Sequence, residues 1–396
     1  MKKHLLFIIL GYLLSTFQIS GQEYLLFEES SALIALRKSV LDGNIPKKYK
    51  SRISKLVIKA DKALTAEIPS VTYKKSLPAS GNKHDYFSTA PYFWPDESKS
   101  DSLPWIRRDG EVNPMTKVGD NIQKDKMFGL VNTLSGAYYI TNDMRYARQA
   151  NKILYAWFID EDLKMNPNVD YGQAIPGLND GRPFGLIEWT GLTDVLRSAQ
   201  ILDKYGQLEP KVKKGLNEWV EQFAKWMATG SNALEEDNTI NNHGSWFDNT
   251  ITSLFLYKND IKSLKSRLEV VKTKRIAAQI KPDGSMPHEL ARTKSLSYTI
   301  MNTKALLQLC YLGKRFNIDL YHYRCDGSGS VKDAVKFLTP YAFGEKWPYQ
   351  QITAVEEDKI LSVLNYAANM LDDKELTNRL SSDNLSLDLL NQYLSH

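Results

Sequence analysis

The stretch LTDVLRSAQIL, residues 192–202, repeats its apolar side chains with the period of an α-helix. Residues that recur every three or four positions fall on one face of a helix, and here they are Leu192, Val195, Leu196, Ala199 and Leu202. Further stripes of the same period lie at 127–138, 146–158, 216–227, 251–256, 264–276, 298–309, 331–338 and 360–371. The sequence therefore predicts a chain of amphipathic helices.

Helix pairs that recur without strands favour an all-α fold, the α/α toroid, in which inner and outer helices alternate and the loops at one rim build a cleft. A tetratricopeptide-like solenoid would repeat about every 34 residues, and no such register is present. Its absence favours closure, as an incomplete barrel of helical hairpins. The length would fit one large repetitive domain or two domains. The repetition decides for a single toroid domain over residues 22–396.

The chain begins with MKKHLLFIILGYLLSTFQISGQE, in which Lys2 and Lys3 precede an apolar run at 5–17 and then small and polar residues. This order is typical of a secretory signal peptide, which we assign to residues 1–21. The apolar run is short for a membrane span, which needs about 20 residues. We expect an exported protein, periplasmic or secreted, that is a monomer and is not held in a membrane after the signal is removed.

Charge and cysteine content narrow the function classes. The chain carries 51 Lys and Arg against 46 Asp and Glu, a net charge of +5, and removal of Lys2 and Lys3 with the signal leaves +3. So small an excess predicts no global surface for polyanions and no nucleic-acid partner, so an acidic substrate must be met by local charge. Cys310 and Cys325 are the two cysteines; export permits a bond between them, and two free thiols fit equally well.

One connecting segment, residues 77–114, is far longer than a typical loop, and loops of that length are usually functional or disordered. It contains Tyr92, Trp94, Arg107 and Arg108. Aromatic faces suit sugar rings, and arginines suit carboxylates through their paired donors. We predict that this segment, the rim loop, covers the cleft and contributes these four residues to substrate binding.

The motif NNHGSW, residues 241–246, brings two amides and a histidine together before an aromatic residue. Asn is a common helix-capping residue, so a capped helix start is one explanation. A helix N-terminus also favours anions, and Asn242 and His243 would aim donors at the same place, with Trp246 beside them. Both explanations stay open from the motif alone.

A second cluster, Arg292, Lys294 and Tyr298, follows His243 after 49 to 55 residues, about one helical hairpin later. In a toroid that distance returns the chain to the same rim. Residues six apart on one helix point about 120° away from each other. We therefore expect Arg292 at or before a helix start and Tyr298 inside the helix, although a lone tyrosine is often a core residue.

A third candidate segment, GQAIPGLNDGRPFGLIEW at 172–189, supplies Gln173, Arg182, Glu188 and Trp189 as possible substrate contacts. The structural alternative is a glycine-rich loop that leads into a helix, with Arg182 paired to Glu188.

Taken together, YFWP (92–95), RRDGEVNP (107–114), GR (181–182), IEW (187–189), the NNH motif with its Trp, and Arg-x5-Tyr (292–298) resemble the alginate lyase family of polysaccharide lyases. Its members are α/α-toroid enzymes that cleave polyuronates by β-elimination, and the resemblance spans roughly residues 80 to 310. It implies that Asn242, His243 and Arg292 flank the uronate carboxylate while Tyr298 transfers protons. Gly244 stands where the best-known members have a serine, which suggests a divergent branch, near polysaccharide lyase family 38.

β-Elimination next to a uronic acid removes the C5 proton, which is hardly acidic until donors neutralise the C6 carboxylate. Tyrosine has an unperturbed pKa near 10, so we expect the positive charge of Arg292 to favour the Tyr298 phenolate. In mannuronate and glucuronate the C5 proton and the O4 bond share one side, so Tyr298 can serve as base and then acid. In guluronate they lie on opposite sides, and His243 would be the base. Alginate with a mannuronate preference is expected if His243 holds the carboxylate.

Three alternative functions remain. One is a lyase specific for glucuronan. Another is a glycoside hydrolase, which would use two carboxylates drawn from Asp248, Asp283, Glu188 and Glu289. The last is a non-catalytic glycan-binding protein. No cofactor and no metal are implied, because no two of the six histidines have the short spacing of a transition-metal site.

Overall fold

The computed structural model describes residue 26 and residues 28–117, 119–354 and 357–380. The predicted signal peptide, residues 1–21, lies outside the described residues. Among the described residues no helix is both long and apolar enough to cross a membrane. Cys310 is a buried free thiol and Cys325 an exposed one, so the two are not bonded.

Helices dominate the chain, and each predicted stripe lies on one. They are α1 Ser31–Leu41, α2 Lys47–Ala63, α3 Asp120–Thr141, α4 Met144–Phe158, α5 Leu192–Lys204, α6 Pro210–Thr229, α7 Ser231–Asp237, α8 Asn242–Tyr257, α9 Ile261–Val271, α10 Pro287–Leu290, α11 Ser295–Arg315, α12 Val331–Leu338, α13 Glu357–Met370 and α14 Lys374–Arg379. A π-helical segment, Lys272–Ala277, follows α9.

The helices form two layers of an α/α toroid, which confirms the predicted fold class. The inner helices α3, α5, α8, α11 and α13 contact one another in this order, and α4, α6, α9 and α12 lie between successive inner helices along the chain. The inner helices are more buried than the outer ones: 13 of the 16 residues of the inner helix α8 are buried, against 6 of the 20 residues of the outer helix α6. An inner helix has neighbours on most sides, whereas an outer helix buries one stripe.

The N-terminal ends of the inner helices meet at one rim. Each inner helix is followed by an outer helix that brings the chain back, so successive inner helices start at the same end. Phe184, which precedes α5, packs against His243 in the first turn of α8. Glu289, which precedes α11, accepts hydrogen bonds from Asn242. Segments far apart in the sequence therefore converge at this rim.

The rim loop departs from the strand-free expectation. It carries three short strands, β1 Phe87–Thr89, β2 Phe93–Trp94 and β3 Ile106–Arg107, and the segment before α5 carries a fourth, β4 Tyr171–Ala174. β1 pairs with β4 in parallel, and β2 pairs with β3 antiparallel. Backbone N–H and C=O groups in a packed loop need hydrogen-bond partners, and these strand pairings supply them. The strands lack alternating hydrophobic and polar residues, so the sequence did not mark them.

Trp189 belongs to the core, contrary to its assignment as a substrate contact. Its side chain has 0% exposure. It packs against Trp219 and Phe223 and meets the edges of Tyr86 and Phe128. A direct contact between Trp189 and a ligand in the cleft is therefore excluded, and its role is to hold the inner and outer layers together.

Candidate active site

The NNH motif forms the start of α8. Asn241 is the N-cap, and its side-chain oxygen accepts a hydrogen bond from the His243 backbone N–H at 3.0 Å. Asn242 and His243 occupy the first turn, where unpaired backbone N–H groups favour negative charge. The capping explanation is therefore correct for Asn241. His243 is partly exposed at the rim, whereas Asn242 is buried, so its predicted direct contact with the uronate carboxylate is not supported.

Asn242 is held by a buried carboxylate. Its backbone N–H donates to Glu289 Oε1 at 2.6 Å and its Nδ2 donates to Oε2 at 2.8 Å, and Asn242 is 1% exposed. Burial raises the pKa of Glu289, while the two bonds from Asn242 oppose that rise. The backbone carbonyl oxygen of Glu289 accepts a hydrogen bond from the Arg292 backbone N–H at 3.1 Å. Glu289 therefore links the start of α8 to the segment before α11.

His243 has a carboxylate on one side of its ring and an aromatic plane on the other. Its Nδ1 lies 2.6 Å from Oε1 of Glu236, a residue of α7 with 0% exposure. Pairing with a carboxylate oxygen favours the tautomer in which Nδ1 donates. The Phe184 ring lies 4.4 Å from the imidazole, centroid to centroid. The imidazole is fixed in place, and Nε2 is the nitrogen left to meet a ligand.

Arg292 lies before α11 and Tyr298 lies inside it, as expected from their spacing. The guanidinium is engaged by Asp109 of the rim loop, with Nε 3.1 Å from Oδ2 and Nη2 2.7 Å from Oδ1. The Thr293 hydroxyl donates to the Asp109 carbonyl oxygen at 2.8 Å. Arg107 also pairs with Asp109, at 2.6 Å. These contacts tie the rim loop to the start of α11.

The Tyr298 hydroxyl sits between Arg292 and Tyr92. It accepts a hydrogen bond from Arg292 Nη2 at 2.9 Å and donates to the Tyr92 hydroxyl at 2.7 Å. Burial raises the pKa of Tyr298 above its ordinary value, Tyr92 adds to the rise, and Arg292 opposes it. Arg292 favours the phenolate, as expected, but burial outweighs the guanidinium, so the net shift of the Tyr298 pKa is upward.

Each of the three predicted carboxylate-binding donors has a protein carboxylate as partner. Asn242 is bound to Glu289, His243 to Glu236 and Arg292 to Asp109. These pairings orient the donors. They also leave specific positions for a ligand, which are His243 Nε2 and Arg292 Nη1, since neither atom has a partner among the described residues.

Arg182 does not form the pair with Glu188 considered from the sequence. Its Nη2 donates to Gln173 Oε1 at 2.6 Å, and its guanidinium lies 4.9 Å from the centre of the Phe184 ring. Glu188 instead accepts hydrogen bonds from the hydroxyl groups of Tyr86 and Ser88. Gln173 adopts a left-handed backbone conformation, with φ of 51°. Non-glycine residues in that region cluster at functional sites.

The remaining predicted contacts are distributed along the rim. Arg108 stacks over Trp94 at 4.9 Å, and the Lys294 ammonium lies 5.8 Å from the Tyr92 ring. Trp246 is 9% exposed, so at most an edge of its ring is accessible. Tyr92 and Lys294 therefore lie on the side of the rim that carries Tyr298.

The four carboxylates considered for a hydrolase are held by other protein groups. Asp248 is fully buried in ion pairs with Arg267 and Arg275. Asp283 accepts the Ser285 backbone N–H at 2.9 Å, while Glu188 and Glu289 accept the bonds described above. A hydrolase needs two carboxyl groups free to flank the sugar linkage. Asp248, Glu188 and Glu289 are engaged within the protein, which leaves only the exposed Asp283 from this set of four.

Sequence reasoning missed Asp109, Glu236 and Phe184 as members of the site. Asp109 lies within the RRDGEVNP stretch that carried the family resemblance, and Phe184 lies within the third candidate segment. Nothing local marked them, because their importance comes from partners 183 and 59 residues away, Arg292 and His243. In the part of the chain that the structure describes, no three His, Cys, Asp or Glu side chains are grouped as a metal site.

Substitution of Gly244 tests how tightly the start of α8 is packed. A Cβ at this position would lie 2.3 Å from the Thr239 carbonyl oxygen and 2.8 Å from the guanidinium carbon of Arg275. Arg275 is fixed by Asp248 at 2.8 Å, so it has little room to move. We expect Gly244→Ala to lower the free energy of unfolding by about 1–3 kcal/mol, the usual cost of overpacking, as measured by urea denaturation.

Gly129 in α3 is the matched control, since a Cβ there would meet nothing within 4 Å. Gly129→Ala should raise the free energy of unfolding by about 0.5–1 kcal/mol, the helical preference of alanine over glycine. If Gly244→Ala were as stable as Gly129→Ala, the close packing of Arg275 on the α8 start would be refuted.

Comparison with known proteins identifies the family of the chain. A family model described as alginate lyase matches residues 70–347. The crystal structure of an alginate lyase from Bacteroides ovatus matches with a TM-score of 0.83 and 35% identity, over 92% of this chain and 94% of that one. The apo form of a variant of alginate lyase A1-III shares the fold, with a TM-score of 0.50 and 15% identity over 82% of this chain and 89% of that one. No curated protein matches this chain in sequence. Since the family model covers well over half of the chain, the protein belongs to the alginate lyase family, whose members are polysaccharide lyases.

Proposed function

We propose that this protein cleaves 4-linked polyuronate by β-elimination, with the mannuronate blocks of alginate as its preferred substrate. The observation that carries the proposal is the Tyr298 hydroxyl, held 2.9 Å from Arg292 Nη2 and 2.7 Å from the Tyr92 hydroxyl at the rim where α8 presents His243. We further propose that the protein is exported and that it is a monomer with a single domain. We also propose that Gly244 marks a branch of the family near polysaccharide lyase family 38.

In the proposed reaction the C6 carboxylate of the uronate binds at the start of α8. His243 donates from Nε2 and Arg292 from Nη1, which lowers the cost of the enolate-like state formed as C5 loses its proton. Tyr298 takes the C5 proton and returns a proton to the leaving O4. The bond between C4 and O4 breaks, and a C4–C5 double bond forms in the sugar that keeps the carboxylate.

The mannuronate preference follows from the way His243 is held. Its Nδ1 is engaged by Glu236, which orients the ring as a donor to the carboxylate and leaves Tyr298 as the group that exchanges protons. A single proton-transfer group serves a sugar whose C5 proton and O4 bond lie on the same side. Glucuronan has the same arrangement and is the second candidate substrate.

The rate on poly-mannuronate should rise with pH. Burial and Tyr92 raise the pKa of Tyr298, so the phenol is the resting form. The phenolate is needed to remove the C5 proton, and at pH values below that pKa its fraction increases about tenfold for each unit by which the pH is raised. We expect kcat/KM to increase through the alkaline range in which the protein stays folded. A rate that falls above neutral pH would mean that Tyr298 acts only as the acid.

Ultraviolet absorbance tests the proposed function directly, because elimination creates a conjugated double bond and hydrolysis does not. The mature protein would be incubated with poly-mannuronate, polyguluronate, glucuronan and a neutral glucan. We expect absorbance to rise fastest with poly-mannuronate. Reducing ends without absorbance would move the assignment to a hydrolase. No product from any of the four would favour the glycan-binding alternative.

A further inference from the structure

Arg182 is a largely buried cation without a carboxylate partner among the described residues. Its Nη2 donates to the neutral side chain of Gln173 at 2.6 Å, and its Nε is buried with no hydrogen-bond acceptor. By contrast, Arg107 and Arg292 at the same rim are both paired with Asp109. A buried charge is normally paired, so Arg182 stands apart from its neighbours.

The surroundings of Arg182 stabilise its charge, but no carboxylate among the described residues is bonded to it. Its guanidinium lies 5.1 Å from the centre of the Phe93 ring and 4.9 Å from that of Phe184, where the ring faces attract a cation. Burial and the nearby Arg107 lower the pKa of Arg182 to about 10, while Glu188 and Glu236, which are near but not bonded to it, oppose that fall, so it stays charged at neutral pH. An anion arriving at this position would meet a desolvated donor that has no competing carboxylate bound to it.

Arg182 adjoins the reactive centre. The Phe184 ring lies 4.9 Å from the Arg182 guanidinium and 4.4 Å from the His243 ring, centre to centre, so both donors contact the same aromatic ring. His243 is the residue that meets the carboxylate of the reacting sugar in the proposed mechanism. A second carboxylate on the same polymer chain would therefore reach Arg182 when the first is held by His243.

We propose that Arg182, oriented by Gln173, binds the carboxylate of a second uronate, next to the sugar that loses its C5 proton. This inference rests on the proposed function and adds a specificity: consecutive charged sugars are selected over a uronate flanked by neutral ones. The amide of Gln173 fits this role because it accepts a hydrogen bond from the guanidinium without cancelling its charge.

Gln173→Glu is the most informative variant, since it supplies the missing carboxylate from within the protein and changes few atoms. The new ion pair should keep or raise the melting temperature. It should also raise KM for poly-mannuronate about tenfold to a hundredfold, the range for losing one charge-assisted hydrogen bond, with little change in kcat. A purely structural Arg182 would be better held by glutamate, and KM would then stay unchanged.

Arg182→Gln should raise KM in the same range, and Arg182→Lys should recover part of the loss because it restores the charge without the paired donors. Arg145→Gln is the matched control. It also removes one positive charge, from a pair with Asp143 at the start of α4, and should leave KM unchanged. If Arg182→Gln fails to fold, Gln173→Glu still decides the question.

Binding separates this inference from the proposed function. Calorimetry with tetramannuronate and with its carboxyl-reduced counterpart measures the preference for charge without any turnover. The unaltered protein should prefer the charged tetrasaccharide, and Gln173→Glu should lose at least tenfold of that preference, an effect of about 1.4 kcal/mol. An unchanged preference would overturn the role of Arg182. Absence of unsaturated product with the unaltered protein would overturn the proposed function alone.

Discussion

Tyr298→Phe is expected to slow elimination on poly-mannuronate by about 10²- to 10⁴-fold, the usual contribution of a general acid–base group. The change removes one oxygen atom, the one that lies 2.9 Å from Arg292 Nη2 and 2.7 Å from the Tyr92 hydroxyl. Because the ring remains, the cation–π contact with Arg292 at 3.9 Å is preserved. The loss should therefore appear in kcat, measured from the absorbance of the unsaturated product, while affinity for tetramannuronate is kept.

Tyr146→Phe is the matched control for this prediction. Its hydroxyl also makes a hydrogen bond, to Asp61 at 2.8 Å, but it belongs to α4 in the outer layer. The variant should keep its full kcat and lose only a little stability. If Tyr298→Phe retained activity close to that of Tyr146→Phe, the assignment of Tyr298 as the proton-transfer group would be wrong.

His243→Gln is expected to reduce kcat on poly-mannuronate by about 10²- to 10³-fold, as removal of one donor to a developing negative charge does in other enzymes. Glutamine is close in size to histidine and can still hydrogen bond to Glu236, so the fold should survive. It does not place a donor where Nε2 stands. Stopped or continuous absorbance assays at saturating substrate would measure the loss in kcat directly.

Glu236→Gln tests the same prediction from the other side of the ring. An amide at residue 236 can donate as well as accept, so Nδ1 no longer has to carry the proton, and the orientation of the imidazole donor is lost in part of the molecules. We expect a smaller loss than for His243→Gln, because the imidazole remains. Equal and negligible losses in both variants would remove His243 from the reaction.

The helices were predictable because their signal is local. The stripe at 192–202 and its counterparts need only a period of 3.6 residues, and each became a helix of the toroid. The meeting of the NNH motif with Arg292 and Tyr298 was predictable for a different reason. In a toroid, residues one hairpin apart return to the same rim, and the family resemblance pointed to the same residues.

The charge balance of the site was not predictable. The Asp109–Arg292 and Glu289–Asn242 pairs join distant segments, and the Glu236–His243 pair, seven residues apart, depends on the turn between α7 and α8. Asp109, Glu236 and Glu289 each bind a predicted donor, yet no pattern in the sequence connects these pairs. The net pKa shift of Tyr298 has the same origin: the sequence shows the arginine nearby but not the burial that outweighs it. Trp189 was misassigned because a tryptophan beside polar residues fits a sugar platform or a core equally well until its burial is known.

The tie between the rim loop and α11 has a consequence for the order of folding. The Tyr92–Tyr298 hydrogen bond joins residues 206 positions apart, and the Asp109–Arg292 pair joins residues 183 apart. Contacts this remote in sequence form only after a large loss of chain entropy, whereas a helix forms from neighbours. During refolding, recovery of the helical circular dichroism signal therefore reports the formation of individual helical hairpins. Recovery of enzymatic turnover reports the later closure of the rim loop onto α11.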